Sequence, residues 1–204
     1  MSLCVRSSAA SALREAAQLL RDGRVVAYPT DTLYGLAVDP RNSDAVRRLF
    51  ELKERAETSA LTLIAADSVQ AKDAGKFNAL ASRLAARWWP GPVTIVVTAR
   101  QIVAREALAG GTTVGIRVPD HAVAQALARE FGFSITATSA NRSGSPAAVS
   151  AEDVLTMLPD IDAVIDGGPV KGGAPSTLVS VHDERATLLR EGAVAWDRVI
   201  KSLQ

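Results

Sequence analysis

The sequence predicts an α/β domain built on a mixed sheet with flanking helices. Segments with the periodicity of amphipathic helices alternate with short apolar runs of strand type along most of the chain. Near the C-terminal end, apolar runs follow each other without a helix between them, which favours antiparallel pairing in an otherwise parallel sheet. The length of 204 residues, with neither a repeat nor a linker-like tract, fits a single domain spanning residues 1–204.

The helices are predicted from apolar faces and from end signals. The segment SALREAAQLLRDG carries its apolar residues on one face and ends at Gly23, in the position of a C-terminal cap. We expect Asp120 to cap the helix that follows Pro119, and Ser150 and Asp153 to form a capping box at the start of SAEDVLTML. Two further helices are predicted in SDAVRRLFELKER and ALASRLAARWW.

The strands are predicted in short apolar runs, namely RVVAY, ALTLIAA, VTIVVTA, TVGIRVP, SITATS, AVIDGG, STLVSV and ATLLREGAV. We expect strands that are separated by helices to be parallel, because parallel neighbours need a crossover connection. The strands near the C-terminal end are close together in sequence, so we expect antiparallel pairing there.

Composition limits the compartment and the class of protein. The net charge of +1 argues neither for nor against a nucleic-acid partner. The single cysteine excludes a disulfide within the chain, which is typical of a reducing compartment. We expect no signal peptide, because residues 1–10 have no long apolar core, and no apolar run approaches the roughly 20 residues of a membrane helix. We therefore expect a soluble, cytoplasmic protein without membrane contact.

Polar or cationic residues follow several of the predicted strands. The stretches are YPTDTLYG, LKERAETSALTL, RVPDH and TSANRSGSP. Ligands of open α/β sheets bind beyond the strand ends, so we expect these stretches to converge there although they are far apart in sequence.

Four of the candidate residues have an alternative structural interpretation. Thr30, in the first stretch, either belongs to a site of hydroxyls and backbone N–H groups or to a turn that caps a helix. Lys53 and Arg55 either clamp a phosphate or form a solvated basic helix end. Arg117 lies inside an apolar run, and we favour contact with a ligand over a buried ion pair.

Two loops offer uncharged polar groups. Thr138, Ser139 and Asn141 either belong to a loop whose backbone amides bind an anion, helped by the permissive Gly144, or form a simple turn with a cap. The segment DGGPVKGGAPST is either a lid or a connector. The sequence has no P-loop, no GxGxxG after a strand, no nucleophile elbow and no Cys/His spacing typical of zinc.

Taken together, these motifs resemble one family. The stretches YPTDTLYGLAVDP, LKER, WWPGPVTIVV, VGIRVPDH, TSANRSG, DGG with PSTLVSV, and LLREGAV occur in the order of the YrdC-like family, the L-threonylcarbamoyladenylate synthases. The resemblance covers the chain from Ala9 to Ala193. The family's K-x-R and S-x-N patterns correspond to residues 53–55 and 139–141, and Ala56 replaces the family's common proline.

The resemblance implies a fold and a reaction. It implies a twisted, open sheet with a concave basic cavity, in the short single-domain form of the family. L-threonine, bicarbonate and ATP, with Mg²⁺ accompanying the ATP, would give threonylcarbamoyl-AMP and pyrophosphate. The product would pass to a downstream threonylcarbamoyl-transferase complex for N6-threonylcarbamoyladenosine (t6A) modification of adenosine 37 in tRNA.

The resemblance also implies roles for single residues. The residues expected to be catalytic are Lys53 and Arg55. Those expected to bind threonine are Thr30, Arg117, Thr138 and Thr177. Those expected to bind the nucleotide are Lys53, Arg55, Ser139, Asn141, Ser176 and Arg190. No protein residue is assigned to a metal.

Two other functions remain open on the sequence. The same fold could serve as a non-catalytic module that binds double-stranded RNA or tRNA, which would need a basic stripe but no S-x-N loop. It could also transfer carbamoyl groups from carbamoyl phosphate, as a YrdC-like domain does in larger hydrogenase-maturation proteins.

Overall fold

The helices were located in a computed structural model that describes residues 3–6, 10–54 and 59–203. They are α1 (Ala10–Arg21), α2 (Ser43–Leu52), α3 (Ser68–Ala74), α4 (Ala79–Trp88), α5 (Ala122–Phe131), α6 (Ala151–Met157) and α7 (Trp196–Lys201). Within the described ranges, no helix is long and apolar enough to cross a membrane. The helices predicted from apolar periodicity all form, whereas α3 and α7 were not predicted.

The strands form one mixed, 11-stranded sheet, which confirms the predicted fold class. They are β1 (Leu3–Arg6), β2 (Val26–Pro29), β3 (Tyr34–Ala37), β4 (Thr62–Ile64), β5 (Gly75–Lys76), β6 (Val93–Ala99), β7 (Thr113–Arg117), β8 (Ile135–Ser139), β9 (Ala163–Asp166), β10 (Thr177–His182) and β11 (Arg185–Arg190). Their order is β1-β9-β2-β3-β8-β4-β7-β6-β10-β11, and β5 pairs with β6 beside this path.

Strand directions follow the prediction only in part. The β10–β11 pair is antiparallel, as expected, and β4 is parallel to β7. The expectation of parallel strands on either side of a helix is wrong for β7 and β8, which flank α5. The reason is that β8 hydrogen-bonds to β3 and β4, and it runs antiparallel to both. The direction of a strand is therefore set by its own partners and not by the connection that leads to it.

The core lies between the sheet and the helices. α1 packs against α5, and these two helices also contact β9, β2 and β4. Fully buried side chains from both layers fill the space between them, among them Leu20, Leu36, Leu63 and Ile116. Burial of such apolar area is the main favourable term in folding.

Two predicted helix starts have different outcomes. The capping box of α6 is confirmed, because Ser150 Oγ accepts from the Asp153 N–H and the Asp153 carboxylate accepts from the Ser150 N–H. The prediction of Asp120 as the cap of α5 is wrong. His121 occupies that position, and its side chain makes no capping bond. The Asp120 N–H instead donates to the carboxylate of Asp31, 3.3 Å away.

Candidate active site

A cavity of about 460 Å³ lies over one face of the sheet. Strand register explains its floor, because paired residues and residues two apart on a strand share a face. Ser139 pairs with Gly35, Ala137 pairs with Thr62, and Arg117 pairs with Ile64, two residues beyond Thr62. Side chains from β8, β4 and β7 are thereby directed to the same side.

The expectation that the polar stretches meet beyond the strand ends is therefore corrected. Because β8 runs antiparallel to β3 and β4, the residues that line the cavity come from the starts of β3 and β4 and from the ends of β7 and β8. Leu178 and Arg190 extend the same face, because Leu178 pairs with both Thr94 and Arg190.

Two walls enclose the cavity. The central wall consists of Thr30, Thr32, Leu33, Tyr34, Gly35, Ala60, Leu61, Thr62, Arg117, Ala137, Thr138, Ser139, Asn141, Ser145 and Ala147, and the edge wall of Pro175, Ser176, Leu178 and Arg190. These described lining residues include two arginines and several hydroxyl groups but no carboxylate. The cavity is suited to a small polar ligand that carries negative charge.

Thr30 lies in the loop between β2 and β3, and not at a helix start. Its Oγ1 donates to the Leu33 carbonyl at 2.6 Å and accepts from the N–H groups of Thr32 and Leu33, each at 3.2 Å. The hydroxyl thus organises the loop and lines the cavity at the same time.

Arg117 forms a buried ion pair and also lines the cavity, so both interpretations of its position in an apolar run hold. It lines the cavity, yet only 5% of the residue is exposed. Its Nη1 donates to Asp31 Oδ1 at 2.9 Å. The ion pair offsets the cost of burying the guanidinium, and the arginine still reaches the cavity surface.

Lys53 anchors the S-x-N loop from behind the cavity. Its Nζ donates to the carbonyl oxygen of Ser139, to the carbonyl oxygen of Asn141 at 2.7 Å and to Asn141 Oδ1 at 3.2 Å. Ser139 Oγ also donates to Asn141 Oδ1, at 2.6 Å, and Asn141 Nδ2 donates to the Ser145 carbonyl. The loop is therefore shaped by one buried ammonium group and by its own side chains.

The alternative of a solvated Lys53 is wrong, whereas its contact with a phosphate stays a prediction. Only 2% of the residue is exposed, and the three described bonds match the three donors of an ammonium group. Arg55, predicted as its catalytic partner, lies outside the described residues, as does Ala56.

Three backbone N–H groups of this loop already have partners and are not free for the expected anion-binding nest. The N–H groups of Asn141, Ser143 and Ser145 donate to carbonyl oxygens of the protein. Gly144 has the left-handed φ of 83° that its permissive role requires. Thr138, Ser139 and Asn141 all line the cavity, and the strand register directs the side chain of Ser139 to the cavity face.

The edge wall is built around Ser176 and Arg190. Ser176 Oγ lies 2.7 Å from the hydroxyl of the buried Thr94, and Arg190 Nη2 donates to the Ser176 carbonyl at 3.0 Å. Gly192 packs tightly behind this wall, because a Cβ there would lie 2.1 Å from the Pro175 carbonyl oxygen. Burial lowers the pKa of Arg190.

The predicted role of Thr177 in threonine binding is also corrected. Thr177 is fully buried and does not line the cavity; its Oγ1 donates to the Val194 carbonyl and accepts from the Gly192 and Val194 N–H groups. Alternation along β10 gives the reason, because Thr177 shares a face with the buried Val179. Its neighbours Ser176 and Leu178 line the cavity instead.

Tyr28, which is fully buried, and His121, which is half-buried, have shifted pKa values. Burial raises the pKa of the Tyr28 hydroxyl, which stays protonated and donates to the Thr136 carbonyl at 3.0 Å. Burial also lowers the pKa of His121, although the carboxylates of Asp31 and Asp120 oppose this effect. Among the described atoms, His121 Nδ1 has no hydrogen-bond partner.

Sequence reasoning missed Asp31 and Thr62. Asp31 was read only as part of a polar turn, and nothing in its neighbours indicates a partner 86 positions away. Thr62 could have been found, because a polar residue at the start of the apolar run TLI marks one face of a strand.

The fold and the cavity define an α/β domain with a binding site for a small anionic or zwitterionic ligand. A family model named Sua5_yciO_yrdC and described as "Telomere recombination" matches residues 18–192. The chain belongs to this family, as its motifs indicated.

Named relatives agree with this assignment. The threonylcarbamoyl-AMP synthase of Bacillus subtilis is 40% identical over 190 residues, which cover 92% of this chain. That of Thiobacillus denitrificans is 40% identical over 163 residues, which cover 79% of this chain. The crystal structure of P. abyssi Sua5 complexed with L-threonine superposes with a TM-score of 0.92 and 34% identity over 99% of this chain.

The relatives differ in length. This chain spans 55% of the Bacillus protein and 60% of the P. abyssi chain, but 87% of the Thiobacillus protein. The match to the longer relatives is thus a match to about half of their length.

Proposed function

We propose that the protein is a threonylcarbamoyl-AMP synthase that acts in t6A modification of tRNA. In this reaction the amine of L-threonine combines with bicarbonate to give a carbamate and water. A carbamate oxygen then forms a bond to the α-phosphorus of ATP, and the bond from that phosphorus to the pyrophosphate oxygen breaks. The product would be consumed by a threonylcarbamoyl-transferase complex.

One observation carries the proposal: two arginines and a set of neutral hydroxyls face one cavity, without a carboxylate among the described lining residues. Both the carbamate and ATP are anions, so the reaction needs cationic and neutral donors that hold two anions close together. A carboxylate on the wall would repel both. The L-threonine bound to the P. abyssi relative is a second support.

We assign the lining residues to the two ligands, and the central wall contributes to both. Thr30, Arg117 and Thr138, on the central wall, would receive L-threonine. Ser139, Asn141, Ser176 and Arg190 would receive the nucleotide. Lys53 would act through the loop that it anchors, as a positioning residue. Arg55 stays the predicted catalytic cation.

A magnesium site built from protein ligands does not fit the described residues. The lining groups are hydroxyls, one amide and arginines, whereas Mg²⁺ prefers carboxylates and water. No group of three acidic, histidine or cysteine side chains in the described part of the chain is close enough to hold a metal. In the proposed reaction, Mg²⁺ would enter with the substrate, as MgATP.

The experiment that tests the proposal is an incubation of the protein with MgATP, bicarbonate and labelled L-threonine. We expect pyrophosphate and a threonine-bearing adenylate, each dependent on all three substrates. A protein that binds double-stranded RNA but releases no pyrophosphate would match the alternative of an RNA-binding module.

Side-chain selectivity gives a second test. A site that hydrogen-bonds the threonine hydroxyl should reject valine, which has the same shape as threonine but lacks the hydroxyl. Serine should bind more weakly through loss of one methyl contact, a cost of about 1–3 kcal/mol. Equal affinity for valine and threonine in calorimetry would contradict the assignment of the threonine pocket.

A further inference from the structure

Asp31 is a buried carboxylate that the proposed reaction does not use. Its neighbours Thr30 and Thr32 line the cavity, but its own carboxylate turns to the ion pair behind the wall, and its side chain is 12% exposed. Oδ1 accepts from Arg117 Nη1 at 2.9 Å, and Oδ2 accepts from the Asp120 N–H at 3.3 Å. Asp31 thereby ties the loop after β2 to the turn after β7.

The ion pair with Asp31 uses only some of the N–H donors of the Arg117 guanidinium. An arginine has five N–H donors, and among the described residues Asp31 is the one partner to which the Arg117 guanidinium donates. Arg117 also lines the cavity, so its other donors can meet a ligand there. A long side chain without such an anchor would sample several rotamers.

We propose that Asp31 is a positioning residue that fixes the Arg117 guanidinium for contact with an anionic group of the substrate. The proposal rests on the proposed function, in which the cavity holds L-threonine and ATP. The positioning role of Asp31 differs from a role in which the carboxylate only neutralises the charge of Arg117. A carboxylate that only neutralised Arg117 would weaken anion binding, so its removal would tighten binding. Removal of a positioning carboxylate weakens binding, because the guanidinium loses its orientation.

A double-mutant cycle tests the proposal. Wild-type protein, Asp31→Asn, Arg117→Ala and the double variant are titrated by calorimetry with L-threonine and, separately, with ATP. We expect Asp31→Asn to weaken binding about tenfold for the ligand whose binding Arg117→Ala impairs, because small displacements of a positioning group are costly. In the Arg117→Ala background, Asp31→Asn should have no further effect, because it acts through Arg117.

Asp39→Asn is the matched control. Asp39 pairs with Arg41 at 2.8 Å and its side chain is 14% exposed, but neither residue lines the cavity. This variant should bind both ligands as the wild type does. Thermal melts show whether each variant is folded. If Asp31→Asn does not fold, Asp31→Glu, which keeps the charge but shifts it by one methylene, should also weaken binding, and unchanged binding would contradict the proposal.

The outcomes separate this proposal from the proposed function. Unchanged or tighter binding by Asp31→Asn, or a loss that persists in the Arg117→Ala background, overturns the positioning role. A wild-type protein that binds ATP but not L-threonine overturns the proposed substrate, and the cycle is then evaluated with ATP. A wild-type protein that binds neither ligand overturns both.

Discussion

The central wall and the edge wall of the cavity each present one arginine, and they hold it differently. Arg117, on the central wall, is 5% exposed and is paired with the carboxylate of Asp31. Arg190, at the end of the edge strand β11, donates to the Ser176 carbonyl, and no carboxylate partner lies among its described contacts. The charge of Arg117 is compensated before any ligand arrives, whereas that of Arg190 is not.

Because the two arginines are held differently, we expect the two walls to have different roles in ligand binding. A buried, ion-paired guanidinium has a fixed direction, which suits recognition of a small rigid group such as an amino-acid carboxylate. An arginine on an edge strand can adjust its side chain and supplies a charge that only the ligand neutralises. We expect the central wall to govern specificity and the edge wall to govern attraction of the nucleotide phosphates.

The largest expected effect is on the central wall. Arg117→Ala leaves Asp31 buried without its charged partner, which should lower the free energy of unfolding by about 3–5 kcal/mol. Urea denaturation measures the change. The double variant with Asp31→Asn should recover part of the loss, because the unpaired charge is gone. A loss of less than about 0.5 kcal/mol, the range of ordinary surface substitutions, would show that Arg117 is held no more firmly than the arginine of the edge wall.

Lys53→Ala should have the next largest effect. It leaves the carbonyl oxygens of Ser139 and Asn141 without their donor, a cost of about 1–3 kcal/mol. If Lys53 were instead part of a solvated helix end, its replacement by alanine should not lower the free energy of unfolding. Lys76→Ala, at an exposed position, is the control and should stay within about 0.5 kcal/mol of the wild type. Equal denaturation midpoints for both variants would contradict the anchoring role.

His121, next to Asp120 at the start of α5, should make the stability of the protein depend on pH. Burial lowers its pKa below the ordinary value of 6.5, so the unfolded chain binds a proton more readily than the folded protein does. The contribution of the neutral imidazole to stability is therefore complete above that ordinary value and is lost as the pH falls below it. His121→Gln should flatten this part of the curve of melting temperature against pH. An unchanged slope in the variant would assign the dependence to other groups.

The smallest effect on stability is expected at the edge wall. Arg190→Ala removes one hydrogen bond from a partly exposed strand end and should change the free energy of unfolding by no more than about 0.5 kcal/mol. ATP affinity should nevertheless fall, because the cavity loses its uncompensated charge. Melting curves measure the stability of the variant and calorimetric titrations measure its ATP affinity. A destabilised variant with normal ATP affinity would contradict the role of the edge wall in nucleotide binding.

The sequence predicted the parts of the site that depend on local patterns. Apolar periodicity located the helices that were predicted, and the polar stretches identified Thr30, Arg117, Thr138, Ser139 and Asn141 as neighbours, which the cavity brings together. The family motifs added Ser176 and Arg190, which line the edge wall. These predictions succeeded because strand and loop residues carry their signal in the sequence around them.

The remaining features depend on contacts that local sequence does not encode. The partner of Arg117 is Asp31, from another loop, and the role of Lys53 follows from carbonyl groups 86 and 88 positions away. Thr177 was misassigned although its face could have been inferred, because alternation along β10 places it with the buried Val179. Strand register, which sets the floor of the cavity, needed the structure.

The most direct test of the account is a crystal structure of the protein with L-threonine and a non-hydrolysable ATP analogue. We expect both ligands in the cavity described above, with the threonine carboxylate at Arg117 and the phosphates near Ser139 and Arg190. Electron density for either ligand outside this cavity, or a threonine that does not contact the central wall, would contradict it.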